Sequence, residues 1–252
     1  MDNLVGQAKA VIPKVDFILE EAWKELRLDK KSVHNKFGQV LISIDSEATK
    51  IFRTYEKMAL LELAKGWLKN QKEDIKEKLE KIISQKGWED FVQEASQLFV
   101  EFGMLVQSIE KDLGNMRKAR GGKTFEKVIL RLLNFIDIEG EIPSGEAREK
   151  LMRIDIVVPS VDIALKTPDR AVFLTCKRTL RERWKQEVPQ ARLNQRIYLI
   201  TMDDDLSENK AKEINEKGLI AFVRDELKQK EQIKNMAWIR GLNSLPKELQ
   251  RC

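Results

Sequence analysis

The sequence predicts an α/β protein in which a helical N-terminal region is packed on a core with a mixed sheet flanked by helices. Two observations predict this class. Up to about residue 115, apolar side chains recur at intervals of three and four residues, which is the period of amphipathic helices. Beyond residue 150, short β-branched runs alternate with helical stretches, as in a sheet covered on its faces. We therefore expect a helical region at residues 1–115 and an α/β core at residues 116–252.

Three groups of apolar residues carry the helical spacing of the first region. They are Val11, Val15, Ile18, Leu19 and Trp23; Phe52, Met58, Leu61, Leu63 and Trp67; and Phe91, Ala95, Leu98, Phe102 and Val106. Residues 40–44 are apolar enough to fit a strand as well as a helix. The pattern stops at residues 115–123, where Gly121 and Gly122 lie among basic residues and predict a loop. Helical spacing resumes at residues 123–135.

Five short apolar runs predict the strands of the core. They lie at residues 154–158, 161–165, 171–175, 197–201 and 219–223, with helical stretches at about 179–193, 206–217 and 226–238. The first runs are close enough along the chain to pair as antiparallel hairpins, whereas the later ones need helical crossovers between parallel strands. The sheet is therefore expected to be mixed.

Composition narrows the classes of protein that the chain can belong to. Of its 252 residues, 42% are hydrophobic, enough for a sizeable core, and the net charge of +5 permits an anionic partner without requiring one. No apolar run approaches the roughly 18 residues of a membrane span, and the N-terminus lacks the apolar core of a signal peptide. Two cysteines exclude a disulfide framework, and a single histidine, His34, excludes a His-rich zinc site. We expect a cytoplasmic protein.

One acidic and one basic residue of the predicted core form a pattern that suits phosphodiester hydrolysis. Asp155 lies in one apolar run, and Lys177 follows another run 22 residues later. A carboxylate can hold Mg²⁺ through its oxygen atoms, and a lysine can orient water or offset negative charge in the transition state. The pair alone is ambiguous, because Asp162 and Asp169 lie close to apolar runs in a similar way.

Three charged residues, Arg181, Glu182 and Arg183, are expected in the first turns of a helix that begins directly after Lys177. Arginine can donate two hydrogen bonds to guanine, and glutamate can accept one from cytosine, in the major groove of DNA. The triplet therefore suits recognition of adjacent G·C pairs. A solvated helix face with local ion pairs is the alternative interpretation.

Residues 177–186, KRTLRERWKQ, resemble the signature of the EcoRII, SsoII and PspGI group of restriction endonucleases in the PD-(D/E)xK nuclease superfamily. In that family a metal-binding Asp precedes the Lys by 22 residues in the nearest relatives, and an Arg-Glu/Asp-Arg triplet follows it. Asp155, Lys177, Arg181, Glu182 and Arg183 match each position, and the similarity covers roughly residues 120–225. The resemblance implies a restriction-endonuclease-like core, an Mg²⁺-dependent type II site-specific deoxyribonuclease, and a CCNGG or CCWGG site recognised by the triplet.

One position departs from the family pattern. The family places a second metal-binding glutamate 13 residues after the Lys, and this chain has Gln190 there. An amide oxygen can ligate Mg²⁺ but carries no charge, and Glu187, one helical turn earlier, can substitute for it. The candidate metal ligands are therefore Asp155, Gln190 and Glu187. The resemblance adds Glu126 as a catalytic candidate, because the superfamily often has a glutamate early in the helix before the Asp strand.

The basic residues of segment 115–123 are expected to contact DNA phosphates; they are Arg117, Lys118, Arg120 and Lys123. The resemblance further implies a homodimer on double-stranded DNA, with the helical region serving dimerisation and DNA contacts, and a possible methyltransferase acting on the same site. Two other functions stay open. Gln190 permits a site-specific DNA-binding protein with impaired or no cleavage, and the same scaffold can carry a structure-specific repair nuclease.

Overall fold

The computed structural model describes residues 2–70, 72–84, 87–181, 184–191 and 195–251. The helices have the following bounds: α1 Asp2–Ala10, α2 Val15–Leu26, α3 Lys30–Asn35, α4 Phe37–Asn70, α5 Lys72–Ser84, α6 Trp88–Phe135, α7 Gly145–Lys150, α8 Val161–Lys166, α9 Trp184–Glu187, α10 Glu208–Glu216, α11 Asp225–Lys228 and α12 Leu245–Gln250. The strands are β1 Ile156–Val158, β2 Val172–Cys176, β3 Arg196–Ile200, β4 Ile220–Val223 and β5 Ile239–Gly241. Among the described residues, no helix combines the length and the apolar character that a bilayer crossing requires.

The chain divides into two compact units, the first of which consists of Met1–Ile18 and Ala48–Arg120. Its described residues form helices, as the apolar spacing predicted. Leu63 is fully buried, and the ring of Trp67 packs on that of Phe102 with centroids 5.3 Å apart. These side chains belong to the apolar positions that predicted helices, so the helical N-terminal region is confirmed.

The second unit consists of Leu19–Glu47 and Gly121–Cys252 and contains the sheet. Trp23 packs edge-to-face on Phe135 at 5.1 Å, and the guanidinium of Arg131 lies 4.4 Å from the centre of the Trp23 ring. Residues 19–47 thus pack within the unit that holds the sheet. The division into functional regions at residues 115 and 116 stays a prediction.

The sheet has the strand order β1-β2-β3-β4-β5, with β1 antiparallel to β2 and the remaining neighbours parallel. The mixed sheet is therefore confirmed, and β1 to β4 correspond to the runs predicted at 154–158, 171–175, 197–201 and 219–223. Asp155 extends the pairing of β1 with β2, because its N–H donates to the carbonyl of Leu174 at 2.9 Å. Lys177, directly after β2, donates its N–H to the carbonyl of Ile200 at 2.9 Å. The two residues lie where β1 begins and β2 ends.

One face of the sheet is covered by the segment that follows Lys177. Val157, Phe173 and Ile197 lie opposite one another in register on this face and form a buried cluster with Trp184 and Val188. Successive side chains of a strand point to opposite faces. The side chain of Asp155 therefore faces the same side of the sheet as Val157, towards α9.

The loop predicted at residues 115–123 is wrong, because α6 continues through it from Trp88 to Phe135. Each glycine in a helix interior costs about 1 kcal/mol relative to alanine. That cost is local, whereas the helix on either side of the glycines buries Leu113 and Phe125 almost completely. Burial of the flanking apolar side chains outweighs the two glycines.

The strand predicted at residues 161–165 is also wrong, since Val161–Lys166 forms α8. The side chain of Ser160 accepts a hydrogen bond from the N–H of Ile163 at 3.3 Å and caps the helix. An ion pair of 2.8 Å between Asp162 and Lys166 joins successive turns. Local capping therefore outweighs the β-branched composition of this segment.

Two predicted helices are much shorter than expected. The stretch 179–193 contains α9 over Trp184–Glu187, with residues 178–181 non-helical, so the expected helical start directly after Lys177 is wrong. The stretch 226–238 contains α11, which ends at Lys228. The ammonium group of Lys228 donates to the carbonyls of Ile233, Lys234 and Met236. This side chain thus binds carbonyl groups that would have paired with N–H groups in a continued helix. Strand β5 and helix α12 were not predicted.

Candidate active site

Asp155 is held in a fixed orientation at the start of β1. Its Oδ2 atom accepts a hydrogen bond from the N–H of Cys176 at 2.6 Å and one from the hydroxyl of Thr175 at 3.5 Å. Both donors belong to the last two residues of β2, and Thr175 is fully buried. The carboxylate is therefore oriented by the neighbouring strand rather than by solvent.

Burial raises the pKa of Asp155 above its usual value. The N–H of Cys176, the charge of Lys177, the hydroxyl of Thr175 and the charge of Arg148 oppose this effect without cancelling it. The hydrogen bonds and nearby positive charges therefore offset only part of the free-energy cost of burying the ionised carboxylate. A buried carboxylate in this condition favours an additional positive charge beside it.

A second carboxylate, that of Glu187, lies close to Lys177. Its ammonium nitrogen lies 3.8 Å from Oε2 of Glu187, at the last residue of α9. The lysine side chain is largely shielded from solvent, whereas that of Glu187 is exposed. Since Lys177 also acts on the pKa of Asp155, one ammonium group interacts with both acids.

Glu126, on α6, also acts on this region. Burial raises the pKa of the Cys176 thiol well above its usual value, and the negative charges of Asp155 and Glu126 raise it further. Asp155, Lys177 and the metal candidate Glu187 thus lie towards one end of β2, and the charge of Glu126 acts on the neighbouring Cys176; their catalytic and metal-binding roles stay predictions.

Gln190 is directed elsewhere. Its side-chain amide donates a hydrogen bond to the carbonyl of Glu216 at 3.3 Å, at the end of α10. It also lines a cavity of about 590 Å³ together with Lys150, Arg153 and Gln195. Its amide is thus occupied by backbone, and its role as a metal ligand stays a prediction.

The donor set can be tested against the needs of Mg²⁺. In the part of the chain that the structure describes, no group of three or more His, Cys, Asp or Glu side chains is arranged to hold a metal ion. Mg²⁺, however, commonly binds through one or two carboxylates and keeps several water molecules. Asp155 and Glu187, which both interact with Lys177, are carboxylates of the kind that this ion takes, so the donor chemistry fits the ion.

Of the predicted recognition triplet, Arg181 lies within the described residues, and Glu182 and Arg183 lie outside them. The side chain of Arg181 is exposed, and its carbonyl accepts a hydrogen bond from the N–H of Trp184 at 2.9 Å. An exposed arginine three residues before the start of α9 is compatible with contact to a large ligand.

The predicted phosphate contacts all fall on α6. The guanidinium of Arg117 donates to Glu56 at 2.5 Å and to Glu110 at 2.6 Å, hydrogen bonds that raise its pKa. Binding of a phosphate by Arg117 would require exchange of these partners. Lys118 is exposed, and the side chains of Arg120 and Lys123 lie outside the described part.

Several residues that shape the site escaped sequence reasoning. Asp45 binds the guanidinium of Arg178, next to Lys177, from 133 positions away along the chain, and no local signal points to it. Asp203 and Lys210 bind the backbone of Leu180. Both lie within the stretch that resembles the restriction endonucleases, which is the one signal that marks them.

Both the sequence and the fold of this chain match known proteins. A model of the EcoRII C-terminal family matches residues 52–245. The type II restriction enzyme SsoII from Shigella sonnei is 30% identical over 122 residues, which are 44% of this chain and 39% of that enzyme. The match thus spans about two fifths of the length of this relative.

Two solved structures share the fold. Metal-depleted Ecl18kI in complex with uncleaved, modified DNA superimposes with a TM-score of 0.78 at 18% identity, covering 99% of this chain and 82% of that chain. The complex of restriction endonuclease PspGI with substrate DNA gives a TM-score of 0.68 at 17% identity, covering 97% and 94%.

The mixed sheet flanked by helices, with a helical N-terminal region, is therefore a restriction-endonuclease-like fold. The family model covers more than half of the chain, and the chain belongs to the EcoRII C-terminal family. The resemblance inferred from residues 177–186 is confirmed.

Proposed function

We propose that this protein is a type II restriction endonuclease that hydrolyses both strands of DNA at a CCNGG- or CCWGG-like site. The observation that carries the proposal is the approach of Asp155, Lys177 and Glu187 at the end of β2. Family membership and the complexes of Ecl18kI and PspGI with DNA support it.

The chain's own residues have separate tasks in this reaction. Asp155 is oriented by the N–H of Cys176 and presents a partly desolvated carboxylate. The ammonium of Lys177 lies 3.8 Å from Glu187 and can donate a hydrogen bond to the attacking water or to the scissile phosphate. The buried start of the sheet behind them restricts movement of these groups.

Mg²⁺ is the proposed cofactor, and Asp155 and Glu187 are the proposed ligands. When bound, the ion supplies Lewis-acid activation of phosphate and water. Glu187 is preferred to Gln190 because it carries charge and lies beside Lys177, whereas the amide of Gln190 binds the carbonyl of Glu216. Glu126, whose charge acts on the neighbouring Cys176, is a further catalytic candidate of the site.

DNA recognition is assigned to Arg181, Glu182 and Arg183, with phosphate contacts from Arg117, Lys118, Arg120 and Lys123. Because such a site is nearly palindromic, we propose a homodimer whose two-fold axis matches that of the DNA. We further propose that the enzyme acts in the cytoplasm, where a methyltransferase specific for the same sequence would protect the host DNA.

A digest of DNA of known sequence tests the activity. With Mg²⁺ the protein is expected to produce discrete fragments whose mapped ends lie before the first C of a CCNGG- or CCWGG-like site. Without a divalent metal no fragments are expected. A smear, or no cleavage with any divalent metal, contradicts the restriction activity.

The alternative function is site-specific DNA binding without cleavage, which Gln190 favours because it removes one charge from the family's ligand set. Sequence-dependent binding in Ca²⁺ combined with intact DNA in Mg²⁺ would support this alternative. Cleavage restored by Gln190→Glu would then locate the deficiency at this position.

Replacing Arg181 by alanine is expected to weaken recognition of the mapped site. A bidentate contact to guanine contributes roughly 1–3 kcal/mol to discrimination, so affinity for the site should fall about 5- to 150-fold. Affinity for unrelated duplexes should change much less, because it rests on phosphate contacts. Both affinities are measured by equilibrium binding in Ca²⁺.

The control is Lys185→Ala, which removes a cation two positions beyond the triplet. Equal losses of affinity for both variants would contradict the assignment of Arg181 to sequence recognition.

A further inference from the structure

The backbone of residues 177–181 is fixed by hydrogen bonds although it is not helical. The N–H of Leu180 donates to Oδ2 of Asp203 at 2.7 Å, and the carbonyl of Leu180 accepts from the ammonium of Lys210 at 2.9 Å. The side chain of Leu180 is buried in the cluster on the same face of the sheet. Both peptide groups of one buried residue are thus held by charged side chains.

Asp203 is itself held in place. Its N–H donates to the hydroxyl of Thr201 at 3.1 Å, and its Oδ1 accepts from the N–H of Asp205 at 3.4 Å. The hydroxyl of Thr201 in turn lies 3.5 Å from the carbonyl of Arg178. Residues that directly follow β3 therefore bind the segment that directly follows β2.

We propose that Asp203 and Lys210 form a clamp on Leu180 that positions the adjacent Arg181 for sequence recognition. Arg181 is the next residue, with an exposed side chain, and its carbonyl accepts from the N–H of the buried Trp184. The backbone is therefore anchored immediately before and shortly after the proposed recognition triplet. This inference rests on the proposed function, since it assigns the clamp to the specificity of that site.

Recognition and affinity respond differently to a loss of the clamp. Base contacts require donors placed to within a fraction of an ångström, whereas phosphate contacts tolerate small displacements and supply most of the non-specific affinity. Hydrogen bonds from charged groups are about twice as strong as neutral ones, which suits a rigid anchor. A weakened clamp is therefore expected to lower discrimination while non-specific binding persists.

The test compares two clamp variants with two matched controls. Asp203→Ala and Lys210→Met remove the two charged groups. Asp204→Ala and Lys212→Met, the controls, remove an exposed acid and an exposed base from the same region. For each, equilibrium binding in Ca²⁺ is measured to a CCNGG duplex and to a duplex with one G·C pair changed to A·T. The clamp variants are expected to lose at least about tenfold of the wild-type affinity ratio. The controls are expected to keep it.

A conservative variant separates positioning from folding. Asp203→Asn retains an oxygen that can accept from the N–H of Leu180, so it should keep the ratio within about threefold. Thermal unfolding of each variant defines the temperature at which the binding is measured on folded protein. An unchanged ratio in Asp203→Ala and Lys210→Met, or an equal loss in the controls, overturns the clamp.

Failure of the proposed function gives a different result. If the wild-type protein binds the two duplexes equally, both the proposed sequence recognition and the proposed clamp are wrong. Cleavage in the digest would still identify a nuclease. If the wild-type protein discriminates and cuts but the clamp variants discriminate equally well, the clamp alone is wrong.

Discussion

Replacing Asp155 by asparagine is expected to reduce DNA cleavage by about a thousandfold or more and at the same time to raise the thermal stability of the protein. Loss of the carboxylate removes the charge that we propose holds the divalent ion. The amide oxygen can still accept the hydrogen bond from the N–H of Cys176, so the local backbone is retained. Cleavage is measured on the mapped site in Mg²⁺, and binding to the same duplex should remain.

The gain in stability follows from the direction of the pKa shift. Burial raises the pKa of Asp155, so the folded protein binds this proton more tightly than the unfolded chain does. The penalty is absent below the usual aspartate pKa of about 3.9, develops as the pH rises through the raised pKa, and persists above it. Asparagine removes the penalty. In metal-free buffer the melting temperature of Asp155→Asn should therefore exceed that of the wild type at neutral pH, with the difference narrowing in acid.

The exposed Asp162 on α8 provides a matched control, because its ion pair with Lys166 lies at the surface. Asp162→Asn should change neither cleavage nor the melting temperature appreciably. Full activity of Asp155→Asn would remove Asp155 from the reaction, and a lower melting temperature would contradict the view that its ionised form is incompletely compensated.

Replacing Glu187 by glutamine is expected to have the second largest effect. If Glu187 is the second metal ligand, the variant should cut at least about a hundredfold more slowly at low Mg²⁺ and regain part of the rate as Mg²⁺ is increased. Gln190→Ala should alter the rate by no more than about threefold, because the amide of Gln190 hydrogen-bonds to the carbonyl of Glu216.

Calorimetric titration of the free protein with Mn²⁺ gives a readout independent of cleavage. Glu187→Gln should weaken binding of the ion, and Gln190→Ala should leave it unchanged. The reverse ranking, with Gln190→Ala impaired and Glu187→Gln normal, would assign the ligand to Gln190. Gln190→Glu adds a carboxylate on the same stretch of chain and is expected to tighten Mn²⁺ binding only if this position reaches the ion.

The sequence predicted the strands of the sheet better than the segments between them. The strands β1 to β4 are short segments of mostly apolar residues that are buried on both faces of the sheet, a pattern typical of covered strands. Residues 161–165 have a similar composition, yet the cap at Ser160 makes them a helix. Gly121 and Gly122 predicted a loop, and burial along the rest of α6 overrides them. A local cap decides the first case, and burial of apolar residues on either side of the glycines decides the second.

The candidate site shows the same division. Asp155 and Lys177 are adjacent to apolar runs at a spacing that matches a known family, so the order of residues along the chain was sufficient to nominate them. The choice between Glu187 and Gln190 was not available from spacing, since both lie within one turn of each other. The structure favours Glu187 because it directs this side chain to Lys177 and the amide of Gln190 to α10.

By itself, the sequence determined the class of fold, the family and the residues that carry charge at the ends of two strands. These features are local, because apolar period, motif spacing and residue chemistry are properties of neighbouring positions. Tertiary structure alone decided which acid approaches Lys177, where α9 begins, and how Asp203 and Lys210 hold Leu180. The contacts of Asp203 and Lys210 with Leu180 join residues 23 and 30 positions apart through the pairing of β2 with β3, and no local pattern specifies that pairing.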